Sequence, residues 1–116
     1  MEVIYVIGKY RGKNKFEVVQ NIEHAREVAE LLWQQDWAVI CPHTNSAWMD
    51  GIVPDQAFLD GGLEIMERCD AVCLCEGWEE SAGSLVEVAV ATESDKQILY
   101  ERDVMEENLT VHQRKY

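Results

Sequence analysis

Two short polar segments hold side chains suited to chemistry on a small ligand. One reads Gly77-Trp78-Glu79-Glu80-Ser81-Ala82-Gly83-Ser84-Leu85-Val86-Glu87. Ser81 is placed to cap a helix beginning at Ala82, which would aim its hydroxyl and the first backbone N–H groups at a ligand. Gly83 would let that ligand approach the first turn closely. Glu87 follows amid Leu85, Val86, Val88, Ala89 and Val90. A carboxylate in so apolar a stretch either faces solvent, as Glu93 would, or is a buried functional group. The other segment is Gly8-Lys9-Tyr10-Arg11-Gly12. It reads either as an exposed turn or as an anion site, with backbone N–H groups and Arg11 facing a phosphate or sugar. Its spacing is neither that of a Walker loop nor G-x-G-x-x-G.

Three further groups need both readings. His43 follows Pro42 at the end of an expected strand, where a ligand contact and a loop-anchoring hydrogen bond are equally apt. Trp48 and Trp78 fall near the same mouth, either to stack on a base or to pack as a lid. Cys41, Cys69, Cys73 and Cys75 might suggest zinc, but Cys73 and Cys75 lie within an apolar run and no C-x-x-C pair exists. Buried thiols are the better reading, with no metal.

These segments need elements to position them. Val3 to Ile7 is apolar at every position, as suits a strand covered on both faces. Asn14 can cap a helix over 16–35, whose inward positions are Phe16, Val19, Ile22, Ala25, Val28, Ala29, Leu31 and Leu32. Trp37–Cys41 reads as a second strand and 42–56 as a long irregular loop of the kind that binds or covers ligands. A helix over 57–68 has Phe58, Leu63 and Met66 inward. Asp70–Cys75 is a third strand, 82–93 a helix, Lys96–Tyr100 a fourth strand and 103–110 a last helix. The alternation implies an α/β fold: a single-domain parallel-sheet sandwich of Rossmann or flavodoxin type over residues 1–116. Ligands bind such sheets beyond the carboxyl ends of the strands, where residues 8–14, 42–56 and 76–84 fall.

Composition narrows the function further. The chain has 116 residues, 47% of them hydrophobic, which suits one folded domain. Its net charge of -12 disfavours a nucleic-acid polymer or an anionic membrane surface as partner. No run is long and apolar enough to span a membrane, and the N-terminus reads as a strand rather than a signal peptide. The cytoplasm is the expected location, in keeping with unpaired cysteines.

Taken together, these residues resemble the nucleoside 2-deoxyribosyltransferase-like superfamily, which includes the 2′-deoxynucleoside 5′-phosphate N-hydrolases. Ile4 to Gly12 looks like the superfamily's opening strand and loop. Ser81-x-Gly83-x-x-x-Glu87 has the spacing of its second motif, and Asp70-Ala71-Val72 resembles the strand before it. Tyr-Arg-Gly, Pro-His, Cys-Asp-Ala and Gly-Trp-x-x-Ser-x-Gly are landmarks of a small phage and bacterial subgroup, and the likeness spans roughly residues 3–100. The resemblance implies that Glu87 attacks the anomeric carbon of a deoxyribosyl group, with Tyr5 bonded beside it. It implies that Ser81 and Gly83 bind the sugar 5′ end or its phosphate, with Arg11 alongside. Gly8, Tyr10, Gly12, His43 and Trp78 complete the expected substrate contacts.

Two positions depart from the pattern. Lys9 stands where the hydrolase branch has Ser. Gly62 stands where the superfamily usually has an Asp for the leaving base; Asp60 is the nearest substitute, with Asp50 and Asp55 as others. The expected activity is cleavage or transfer at the N-glycosidic bond of a nucleoside or nucleotide, through a carboxylate nucleophile and without cofactor. The alternative is a non-catalytic nucleotide-binding module on the same fold. A homo-oligomer is expected, because so small a chain has little surface to enclose a nucleotide and because related enzymes complete their pockets from a neighbouring chain.

Overall fold

A computed structural model describes residues 1–107 of the chain. Its centre is a parallel sheet of β1 (Val3–Ile7), β2 (Ala38–Ile40), β3 (Ala71–Leu74) and β4 (Gln97–Tyr100), in the order β2-β1-β3-β4. Each strand is short, and the two expected end residues of β3 just outside it still close ladder bonds. Asp70 N–H donates to Val3 O and Cys75 N–H to Ile7 O, both at 2.8 Å.

Alternation along the two central strands divides the core. Ile4, Val6, Ala71 and Cys73 face α1 (Lys15–Gln34), packing on Ala25, Val28, Ala29 and Leu32 with Val104 of the helical residues 101–107. Tyr5, Ile7, Val72 and Leu74 face the other way, toward Met66 of α3 (Asp55–Glu67) and Ala91 of α4 (Ala82–Glu93). Helices cover both faces, which is why both central strands are apolar at every position. The sandwich is of Rossmann or flavodoxin type, as expected.

Several sequence expectations are corrected in detail. Phe16 is 68% exposed and Val19 also faces solvent. The first turns of α1 carry no buried side chain, and core packing begins at Ile22. Asn14 caps this helix as anticipated, its side chain accepting from Glu17 N–H at 2.9 Å. The long loop is interrupted by α2 (Pro42–Asn45), started by proline at its first position, and α3 begins at Asp55. The last helix starts earlier than expected, at residue 101, and its expected continuation to 110 lies partly outside the described residues.

Candidate functional site

Strand order reverses direction between β1 and β3: from β1 the chain crosses to β2 on one side, and β3 lies on the other. A crevice forms at such a switch point, beyond the carboxyl ends of the strands. Here it is an open cleft of about 820 Å³.

Its floor is a pair formed by a buried tyrosine and a half-buried glutamate. Tyr5, 1% exposed in the central strand, donates its hydroxyl to Glu87 Oε2 at 2.7 Å. Burial raises the Glu87 pKa, and the Tyr5 hydrogen bond pulls it partly back. Burial, and then the Glu87 charge, push the Tyr5 phenol far above its ordinary range, so it stays a donor. A carboxylate held this way is stripped of water on one side and oriented on the other.

The pair depends on a missing side chain. A Cβ at Gly62 on α3 would stand 2.7 Å from the Tyr5 hydroxyl oxygen and 3.7 Å from Glu87 Oε2. Position 62 therefore packs directly on the pair, and only glycine leaves room for the observed placement of Tyr5.

The start of α4 forms one wall. Ser81 caps the helix, its Oγ accepting from Ser84 N–H at 3.2 Å. Ala82 and Gly83, whose N–H groups precede the first intrahelical bond, line the cleft. Opposite lies the loop after β1, held by His43. The Nε2 atom of His43 is 3.0 Å from Gly8 O and 3.1 Å from Lys9 O. Both oxygens only accept, so Nε2 carries the hydrogen. Burial lowers the His43 pKa against the opposing pull of the two carbonyls, keeping the ring neutral at pH 7. His43 thus anchors the loop and lines the cleft as well.

The rim is charged but internally paired. Arg11 pairs with Asp55, and Lys9 pairs with Glu80 at 3.1 Å. Tyr10 donates to Asp50 Oδ1 and accepts from Trp48 N–H, each at 3.1 Å, tying the segment after α2 to the loop after β1. The Arg11 and Lys9 pairs are exposed and individually weak, so an anionic ligand can compete for either cation.

A family model described as a domain of unknown function, DUF4406, matches residues 2–100. The chain belongs to the DUF4406 family. All cleft-lining residues of this DUF4406 domain fall within the matched span. No curated protein matches the chain.

The cleft of the DUF4406 domain brings together Tyr5, Gly8, Tyr10, Arg11, His43, Ser81, Gly83 and Glu87 from the sequence reading. Three others are not brought there. Asp60 is exposed and lines a separate shallow depression with Glu64 and Glu67. Residues two apart on a helix point about 200° apart, so a helix presenting Gly62 to the cleft turns Asp60 away. Its carboxylate instead accepts from Gln56 Nε2 at 2.9 Å. Trp78 lies on a 3₁₀ turn, Trp78–Glu80, and packs against the core on the α4 side. Gly12 is exposed, against the Glu17 side chain.

Asp50 and Asp55 do line the cleft, and so does Ser84. Ser84 has no role in the sequence reading, since a serine in a first helical turn is ordinary there. Among the described residues, no group of three or more His, Cys, Asp or Glu is arranged to hold a metal ion. The four cysteines are free and buried, and burial pushes the Cys73 thiol up to about 12.

Removing the Tyr5 hydroxyl gives a clear expectation. Tyr5→Phe deletes the one interaction that lowers the Glu87 pKa, so that pKa rises further. If ionised Glu87 is needed for turnover, the acidic limb of the pH–rate profile moves to higher pH. Initial rates across pH 4–9 check this; an unmoved limb would separate the pair from the chemistry.

Proposed function

We propose that the cleft cleaves or transfers at the N-glycosidic bond of a 2′-deoxynucleoside or its 5′-phosphate, with Glu87 as nucleophile. The observation that carries this reading is the half-buried Tyr5–Glu87 hydrogen bond at the floor of a cleft lying at the sheet's switch point. The sequence resemblance to nucleoside 2-deoxyribosyltransferase-like enzymes, with Glu87 four residues after Gly83, supports the same assignment.

The step balances as follows. A Glu87 carboxylate oxygen bonds to C1′ while the C1′–N bond breaks. The bonding pair leaves with the base, which takes up a proton. Water then attacks C1′ of the ester, its proton returning to the group that protonated the base or to solvent, and releases the sugar and the Glu87 carboxylate. A second base attacking through its nitrogen, with loss of that N–H proton, instead completes a transfer. Gly62 supplies no acid, so the proton comes from Asp50, Asp55 or water. The exposed α4 N–H groups of Ala82 and Gly83, with Arg11, suit the 5′ end of the sugar or its phosphate.

Two wider features belong to this reading. The cleft is open, and Trp33, Trp48, Leu85 and Val86 leave apolar surface exposed. A second copy of the chain would cover such surface and help enclose the ligand. Light scattering at micromolar concentration is expected to show a dimer or larger species; monomer alone would contradict it. Four free thiols fit a reducing, cytoplasmic setting.

One observation favours a second reading, nucleotide binding without catalysis: position 62 carries no carboxylate. A single assay separates the two. Incubating the protein with deoxynucleosides and their 5′-monophosphates should release free base, detected by chromatography. Saturable binding with no base released would leave the binding module.

A further inference from the structure

Ser84 lines the cleft one helical turn before Glu87, at the i, i+3 spacing that puts both on one face of α4. It is 2% exposed, and its Oγ is buried with no hydrogen-bond partner among the described residues. Its neighbours explain why no partner is at hand. The Ser84 N–H is occupied by Ser81 Oγ. The back-bond to a preceding-turn carbonyl, the usual recourse of a serine inside a helix, is not made. Alanine, present nearby at positions 82 and 89, would fit the helix better and bury no polar atom. A buried hydroxyl without a protein partner calls for an explanation, and a ligand in the cleft that Ser84 lines supplies one.

We propose that Ser84 is a specificity-determining residue whose hydroxyl hydrogen-bonds the 3′-hydroxyl of the bound pentose. This rests on the glycosidic reading of the cleft. Side chains three apart on a helix have Cβ atoms about 5–6 Å apart, which is the scale of one furanose ring. With C1′ at Glu87 and the 5′ end at the α4 N-terminus, Ser84 falls beside the ring between them. Two oxygens are available there. The ring oxygen loses electron density in an oxocarbenium-like state and becomes a poor acceptor. The 3′-hydroxyl both donates and accepts, as does serine. The base departs from the face opposite Glu87, away from α4.

The test is a double-mutant cycle between protein and ligand. Titration calorimetry compares Glu87→Gln, which should not consume the probes, with Ser84→Ala/Glu87→Gln. The probes are 2′-deoxyadenosine and thymidine against their 2′,3′-dideoxy counterparts, as free nucleosides and as 5′-monophosphates. Losing Ser84 is expected to weaken the 2′-deoxy ligands about 5–20-fold and to leave the dideoxy ligands unchanged. The ligand-free protein should melt at the same temperature or higher, since an unsatisfied polar group has been removed. Equal affinity of the two proteins for the 2′-deoxy ligands overturns the assignment of Ser84 alone, and so does an equal loss for both ligand types. No binding of any probe to Glu87→Gln or to the wild type overturns the glycosidic reading and the Ser84 partner together.

Discussion

Glu87→Gln is expected to lower turnover by about 10³-fold or more while leaving ligand affinity within a few-fold. The amide keeps the shape and can still accept from Tyr5, but it cannot form the ester to C1′. The same change should not destabilise the protein at pH 7. Burial raises the Glu87 pKa in the folded state, so folding favours the protonated form. That preference contributes to stability below the unfolded carboxylate pKa and is lost as pH rises through the folded one. A neutral glutamine carries no such loss. Thermal melts should therefore show the variant equal to the wild type near pH 4 and equal or higher at pH 7. Glu93→Gln, at an exposed position on the same helix, is the control and should leave rate and melting unchanged. Wild-type turnover in Glu87→Gln would remove this residue from the chemistry.

Gly62→Ala is expected to damage both stability and turnover. The added Cβ would lie 2.7 Å from the Tyr5 hydroxyl oxygen, far inside contact distance. Tyr5 cannot swing aside freely, because it is 1% exposed in a central strand. Either α3 shifts outward or the Tyr5–Glu87 bond opens. Overpacking of this kind costs about 1–3 kcal/mol, and displacement of a reacting group by about 1 Å costs up to about 10²-fold in rate. Calorimetry and initial rates on the one variant measure both effects. Unchanged melting with unchanged rate would mean that position 62 does not control the pair.

The elements were legible because β1 and β3 are apolar at every position and the helices between them are periodic. Parallel strands buried on both faces leave that signature. The pairing order was not legible, since equally apolar strands can pair in more than one order. Periodicity also fixes a face without fixing how far the core extends, which is why Phe16 and Val19 read as buried and are not. Most of the candidate cleft could be read because the residues after parallel strands fall on one edge whatever the strand order. Asp60 is nearest to position 62 along α3, but half a turn on a helix carries a side chain to the opposite face, so it lies outside the cleft. Trp78 suits stacking or packing by residue type alone, and its place on the 3₁₀ turn, against the core, favours packing. The burial of Ser84 and the room left by Gly62 depend on what packs opposite them, which no local pattern encodes.

The central claim is that Glu87 carries the sugar. Acid-quenched mass spectrometry during turnover of a 2′-deoxynucleoside or its 5′-monophosphate tests it most directly. The wild type is expected to gain the mass of one deoxyribosyl group, or its phosphate, on the peptide containing Glu87, and Glu87→Gln to gain none. Base release with the adduct on another residue, or undiminished in Glu87→Gln, would contradict the account.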